Sequence, residues 1–165
     1  MSDIEMIEAC VAPELEREPD VRPADVRRVA MDLLARREHS RRELREKLVK
    51  RFGDEPLLDE QLDLLAEENL QCDQRYADSL LRQRISRGHG PVRIRQEMRQ
   101  KGVGNAEIEA AMMAEDVDWY ARAEATYHRK FGVIPPVDIK DKSKRMRFMQ
   151  YRGFDVEHYR HLLED

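Results

Sequence analysis

The chain has 165 residues, 39% of them charged and 6% aromatic, with a formal net charge of −4 at pH 7. It is long enough to bury a core, yet it is very polar and lacks the overall positive charge that marks many nucleic-acid binders. Cys10 and Cys72 have no CxxC spacing and no histidine at ligand spacing, so they read as free thiols of a reducing cytosol, not as a disulfide or a zinc site. The N-terminal stretch MSDIEMIEACVAPELEREPD starts acidic and has no apolar core, which argues against a signal peptide. No apolar run is long enough to span a bilayer, and a soluble, intracellular protein is expected.

Residues 1–22 hold seven acids, with three prolines between Pro13 and Pro23, and read as a poorly ordered acidic arm with a short helix near 4–11. Beyond it the pattern is helical almost throughout, with no useful period-2 alternation. Three glycines, Gly53, Gly102 and Gly153, follow the basic segments SRRELREKLVKRFG, GPVRIRQEMRQKGV and DKSKRMRFMQYRGF. Their near-constant spacing marks a threefold repeat of one supersecondary unit, whose neighbours stack to share a core.

The first helix of each unit is expected over 24–37, 74–87 and 118–131, with Asp73 as N-cap of the second. Val29-Ala30 with Leu33-Leu34 matches Tyr76-Ala77 with Leu80-Leu81 and, less closely, Tyr120-Ala121 with Ala125. The second helix follows a tight turn. In unit one Ser40 and Glu43 fit a capping box. In unit two Pro91 suits the first helical position after Gly88-His89-Gly90. Unit three has a longer turn over 132–140, stiffened by Pro135-Pro136, with Asp141 as its expected cap. Apolar residues fall at helical spacing in these helices: Leu44 and Leu48, Ile94 and Met98, Met146, Phe148 and Met149. Each ends at its glycine, which supplies a left-handed terminus.

Third helices begin within a few residues, with Asp54 and Pro56, Asn105 and Asp155 as start signals. Their stripes are Leu58, Leu62, Leu65; Ile108, Ala111, Met112; and Tyr159, Leu162, Leu163. The expected fold is all-α: three tandem three-helix repeats over 23–71, 72–115 and 116–165, forming an elongated, curved array.

Charge follows the same repeat. Residues 36–51 carry eight Arg or Lys against three Glu, residues 82–101 seven against Glu97, and residues 140–152 six against Asp141. The third helices invert the sign, with seven acids and no base over 54–68 and five acids and no base over 107–118. Two readings stand. The basic and acidic helices pair inside the fold, each pair worth about 0–1 kcal/mol. Alternatively, a basic face is presented three times to phosphates or to an acidic protein surface.

Catalysis and metal binding find little support. His39 and His89 occupy matching turns and suit turn geometry. His158 and His161 lie three apart but have no Cys or carboxylate at a ligand offset. The serines lack GxSxG context, and Gly88-His89-Gly90-Pro91 lacks the Lys-Ser/Thr of a phosphate loop. Neither a cofactor nor an enzymatic activity is expected. Trp119, Tyr120 and Tyr127 read as core at helical spacing. Phe148 and Tyr151, interleaved with Arg145, Arg147 and Arg152, are the exception that could face a partner.

The stretches LLARREHSRRELREKL (33–48), DQRYADSLLRQRISRGHGPVRIRQEMRQKGV (73–103) and KSKRMRFMQYRGFDVEHYRHLL (142–163) resemble the RecX family, which regulates the RecA recombinase. The resemblance covers nearly everything after residue 22. It implies a cytoplasmic, non-enzymatic protein that binds RecA and the RecA–DNA filament. Such a protein negatively modulates ATP hydrolysis, strand exchange and LexA-cleavage coactivation, and thereby recombination, repair and the SOS response. By position, the family's basic surface maps onto Arg41, Arg42, Arg45, Lys47, Arg93, Arg95, Arg99, Lys101, Lys144, Arg145 and Arg147. A monomer is expected, with weak direct DNA binding able to coexist. The rival reading is a direct DNA-binding protein of tandem helix-turn-helix-like modules.

Overall fold

The computed structural model describes residues 21–164; the acidic arm, apart from its last two residues, and Cys10 lie outside the described residues. Those residues form nine α-helices and no strand. Unit one comprises α1 (Pro23–Arg36), α2 (Arg41–Phe52) and α3 (Pro56–Glu67). Unit two comprises α4 (Asp73–Ser86), α5 (Pro91–Gln100) and α6 (Asn105–Glu115). Unit three comprises α7 (Trp119–Phe131), α8 (Ile139–Arg152) and α9 (Val156–Tyr159), followed by a 3-10 turn over Arg160–Leu162. The main helix contacts are made within each triplet.

Each triplet closes on its own apolar cluster because its helices are too short to bury a face alone. Unit one buries Val26, Ala30, Leu44, Leu48, Leu58, Leu62 and Leu65. Unit two buries Tyr76, Ala77, Leu81, Ile94, Met98 and Ile108 among others. Unit three buries Ala123, Tyr127, Met149, Phe154, Tyr159 and Leu163. Trp119 packs against the second and third clusters together and so links those units.

Several local expectations need correction. In unit three Tyr120 is exposed and stacks edge-on against His158, and Ala121 and Ala125 are exposed as well. The residue equivalent to Ala30 and Ala77 is Ala123, with Thr126 and Tyr127 buried beyond it, because burial sets the register and a nearby Tyr-Ala pair does not. The last α-helix is four residues long before it tightens into the 3-10 turn. Asp141 lies in the first turn of α8, and its cap is Asp138, whose carboxylate accepts the Asp141 N–H at 2.6 Å. The Asn105 start signal, by contrast, agrees with the structure: α6 opens at Asn105, with Gly104 at its N-cap.

Asp73 is likewise the first residue of α4 and not its cap. Its carboxylate accepts the Arg41 N–H at 2.8 Å and Gln71 Nε2 at 2.9 Å, so it serves the N-terminus of α2 across the junction between units. Ser40 does cap α2, accepting the Glu43 N–H at 3.1 Å. Glu43 turns instead to Arg37, which donates to both of its carboxylate oxygens at 2.9 Å.

The spaced glycines mark how the units join. Ser40 Oγ donates to the Lys101 carbonyl at 2.7 Å, placing the first turn of α2 on the end of α5. One unit later, Gly90 N–H donates to the Arg152 carbonyl at 2.8 Å and Val92 N–H to the Gly153 carbonyl at 3.0 Å, placing the first turn of α5 on the end of α8. The three basic helices therefore meet end to end. At the second junction, backbone N–H groups at the start of α5 are satisfied by carbonyls closing α8. At the first, the Ser40 hydroxyl makes the contact and the Arg41 N–H goes to Asp73. At both, the two dipole ends have opposite sign.

Close approach requires glycine at these contacts. A Cβ at Gly102 would lie 2.8 Å from Arg42 Cβ, and one at Gly153 would lie 2.2 Å from Arg93 Cβ. Both glycines also have positive φ, 80° and 90°, and their successors Val103 and Phe154 turn into the cores. Gly53 also has positive φ, but its ψ of 177° departs from the left-handed terminus expected there, and among the described residues nothing lies within 4 Å of an added Cβ.

Candidate partner-binding surface

The end-to-end column carries the eleven basic residues singled out in the sequence, and the fold treats them unequally. Several are spent on the acidic third helices. Arg41 pairs with Asp63 at 2.8 Å. Arg45 pairs with Asp59 at 3.0 Å and with Asp54 at 2.7 Å. Arg95 binds both oxygens of Glu109, at 2.9 and 3.2 Å. Arg42 pairs with Glu46 one turn along its own helix, and Lys101 lies 3.7 Å from Glu43 across the first junction. To this extent the intramolecular reading of the charge pattern holds.

Arg145 is not a surface residue. It is buried, donating to Asp141 Oδ2 at 3.0 Å, to the Tyr127 hydroxyl at 2.9 Å and to the Ile134 carbonyl at 2.7 Å. The pair holds the Asp141 carboxyl below the usual carboxylate range, chiefly through the hydrogen bond from Arg145. The sequence could not show this, because Arg145 sits in a run of exposed cations.

Lys47, Arg93, Arg99, Lys144 and Arg147 have no carboxylate within 4.0 Å among the described residues. Lys47, Arg99, Lys144 and Arg147 are exposed. Arg93 is engaged at the second junction, donating to the Tyr151 carbonyl at 3.1 Å and lying over the Tyr151 ring at 4.9 Å. Tyr151 remains exposed, and Phe148 is half-buried beneath Arg152 at 5.2 Å and Lys130 at 5.9 Å. His158 and His161 are not a matched pair: the first packs on Tyr120, and the second is exposed on the 3-10 turn.

The two junctions differ in charge. The first holds a concavity of about 350 Å³ lined by Arg37, Glu43, Tyr76, Arg84, Glu97 and Lys101 among others. Its charges largely cancel through Arg37–Glu43 and the bidentate Arg84–Glu97 pair. Burial pushes Glu43 up, but the Arg37 hydrogen bonds and charge outweigh it, and Glu43 ends below the usual carboxylate range. Glu97 is lowered mainly by the hydrogen bonds from Arg84. Burial, with Glu43 nearby, pushes Tyr76 up to about 12.

The region beside the second junction keeps its positive charge. A concavity of about 430 Å³ includes Arg87, His89, Arg93, Gln96 and Gln100, and a smaller one of about 190 Å³ includes Arg87, Arg129, Lys130, Phe148 and Arg152. Of these, Arg87, Arg93, Arg129, Lys130 and Arg152 have no carboxylate within 4.0 Å among the described residues. Position in the basic second helices could not pick out Arg87, Arg129 or Lys130, since they come from α7 and from the turn after α4.

His39 and His89 occupy equivalent turns, and both titrate below the ordinary 6.5, chiefly through burial and then through Arg37 and Arg93 respectively. The unfolded chain therefore takes up protons first as pH falls, so stability declines as pH drops through 6.5. The lowered Glu43 and Glu97 act in the same direction, but only as pH falls below 4.5. A melting-temperature profile should fall in both windows, and replacing both histidines by glutamine should flatten the upper one. Parallel profiles for the two proteins would contradict the assignment.

The fold defines the class: an all-α protein of three-helix units in tandem. Family models described as the first, second and third three-helix domains of RecX match residues 27–56, 73–112 and 116–162. The chain is 45% identical over 135 residues to "Regulatory protein RecX" of Pseudomonas entomophila (strain L48), covering 82% of this chain and 87% of that protein. It is 44% identical over 138 residues to the protein of the same name from Pseudomonas fluorescens (strain SBW25), covering 84% and 89%. This chain belongs to the RecX family. Among solved structures, a crystal structure of regulatory protein RecX superposes with a TM-score of 0.71 at 23% identity, covering 87% of this chain and 73% of that one. RecX from Lactobacillus salivarius superposes with 0.67 at 19% identity, covering 86% and 94%; both likenesses concern the fold. Among the described residues no helix is long and apolar enough to cross a membrane.

Proposed function

We propose that this protein binds RecA and its DNA filament and negatively modulates ATP hydrolysis, strand exchange and LexA-cleavage coactivation, acting in the cytoplasm as a monomer without catalysis of its own. The observation that carries this reading is family membership across all three three-helix domains. The surface supports it: cations along an end-to-end column can engage successive subunits of a helical filament, with weak contacts summing through effective concentration. The contact set proposed from the geometry is Lys47, Arg99, Lys144 and Arg147, together with Arg87 and Arg129 beside the second junction.

The test is RecA ATPase on single-stranded DNA titrated with this protein. Inhibition well below equimolar is expected, and none at any ratio overturns the reading. Reversing charge at Lys47, Arg99 and Arg147 together should raise the half-inhibiting concentration by about tenfold or more, a loss of about 1.4 kcal/mol. Unchanged inhibition by a folded variant would remove these residues from the contact set.

Direct DNA binding is the second reading, favoured by the uncompensated cations beside the second junction. Against it, the third helices of units one and two, which would enter a major groove in a helix-turn-helix arrangement, are rich in acids. Affinity for free DNA equal to that for RecA-coated DNA, with a log–log salt slope of about −0.7 to −0.9 per phosphate neutralised, would favour it.

A further inference from the structure

Unit three differs from its neighbours in the connection between its first two helices. Units one and two use short turns, over 37–40 and 87–90, whereas unit three uses residues 132–138. Four apolar side chains in this connection and at the first position of α8 stand in solvent: Val133 is 82% exposed, Ile134 66%, Val137 79% and Ile139 84%. Single exposed apolar residues are ordinary, but four within seven positions make a patch.

The backbone beneath them is held from below. Arg145, 6% exposed, donates to the Ile134 carbonyl at 2.7 Å. Asp141, paired with Arg145, accepts the Val137 N–H at 3.3 Å. Pro135 and Pro136 remove further backbone freedom. A buried guanidinium is costly to desolvate, and here much of its hydrogen bonding goes to the backbone of a solvent-exposed loop. Fixing a loop before it binds lowers the ordering cost of association.

Charge indicates what the loop would meet. Lys140, Lys144 and Arg147 line a concavity of about 350 Å³ with Asp138 and Asp141. Both carboxylates are engaged, one capping α8 and the other holding Arg145. The three cations have no carboxylate within 4.0 Å among the described residues. Apolar side chains flanked by unspent cations complement an apolar groove rimmed by carboxylates. A membrane surface fits less well, since the loop has no aromatic side chain for the interface.

We propose that residues 133–139 are a preformed apolar docking loop, which seats in an acid-rimmed apolar groove on a partner protein. Identifying that protein with RecA rests on the function proposed above. The experiment compares the full chain with a variant carrying Val133→Ser, Val137→Ser and Ile139→Ser, all at exposed positions, after circular dichroism confirms the fold. Binding is read on RecA filaments formed on single-stranded DNA. Affinity should fall by about tenfold or more. Separately, Lys140→Glu with Lys144→Glu should weaken binding and flatten its salt dependence.

Equal filament binding by the serine variant overturns the loop and leaves the proposed function standing. Absence of filament binding by the unaltered chain overturns both. Loop-dependent binding to vesicles rich in phosphatidylserine, or self-association abolished by the serine changes, overturns the choice of partner.

Discussion

Replacing Gly90 by alanine is expected to destabilise the protein by about 3 kcal/mol or more, the upper range for forcing atoms into a packed contact. The backbone at Gly90 is ordinary extended chain, with φ −88° and ψ 170°, which any residue can adopt. The obstacle is the next unit: an added Cβ would lie 2.3 Å from the Gly153 carbonyl oxygen and 2.6 Å from Phe154 N. The substitution must also disturb the Gly90 N–H bond to the Arg152 carbonyl. Gly53→Ala is the contrast, because an added Cβ there meets nothing among the described residues. Only the backbone opposes it: φ 84° with ψ 177° is a region other residues rarely adopt, at about 1–3 kcal/mol. Urea unfolding with hydrogen exchange on units two and three would measure both. If Gly90→Ala is no worse than Gly53→Ala, the end-to-end docking of α5 on α8 is not as tight as described.

Arg145→Met is expected to cost about 3 kcal/mol, the upper range for hydrogen bonds to a charged group. It keeps much of the apolar stem but strips the donors from the Tyr127 hydroxyl and the Ile134 carbonyl. Arg145→Lys should recover little, since one compact ammonium cannot reproduce a planar fork with several simultaneous partners. The loss should centre on unit three, with earlier protease cleavage over 132–138, as read by thermal unfolding and limited proteolysis. Full recovery by lysine would mean that charge alone, and not the fork, holds the loop.

Much of the helical framework was legible because its signals are local. Leu44 and Leu48, Ile94 and Met98, and the Leu58–Leu62–Leu65 stripe are all buried as their spacing indicates. Caps depend on contacts beyond the local sequence. Asp73 resembles an N-cap by position, but the Arg41 N–H across the junction competes for its carboxylate. Tyr120-Ala121 matches Tyr76-Ala77 by residue type, yet Ala123 is the position that meets the core. In the basic face, Arg145 could not be separated from Arg147: both are arginines on one helix two residues apart, one buried and the other exposed.

Sequence alone specified the helices and apolar clusters of units one and two and the glycine that follows each basic helix, because propensity and 3.6-residue periodicity act within a dozen residues of chain. In unit three the register of α7 and the short last helix were set by packing. The sequence also carried the alternation of basic and acidic helices. Which cations are spent is set by contacts between helices. Arg41, Arg45 and Arg95 reach carboxylates on neighbouring helices, while Arg87 and Arg129 beside the second junction meet none within 4.0 Å among the described residues. Such contacts also separate Gly102 and Gly153, pressed against another unit, from Gly53, which among the described residues is not. The physical reason is range: charge pairing and steric contact act over a few ångströms in space, and docking brings together residues such as Gly90 and Gly153 that the chain keeps far apart.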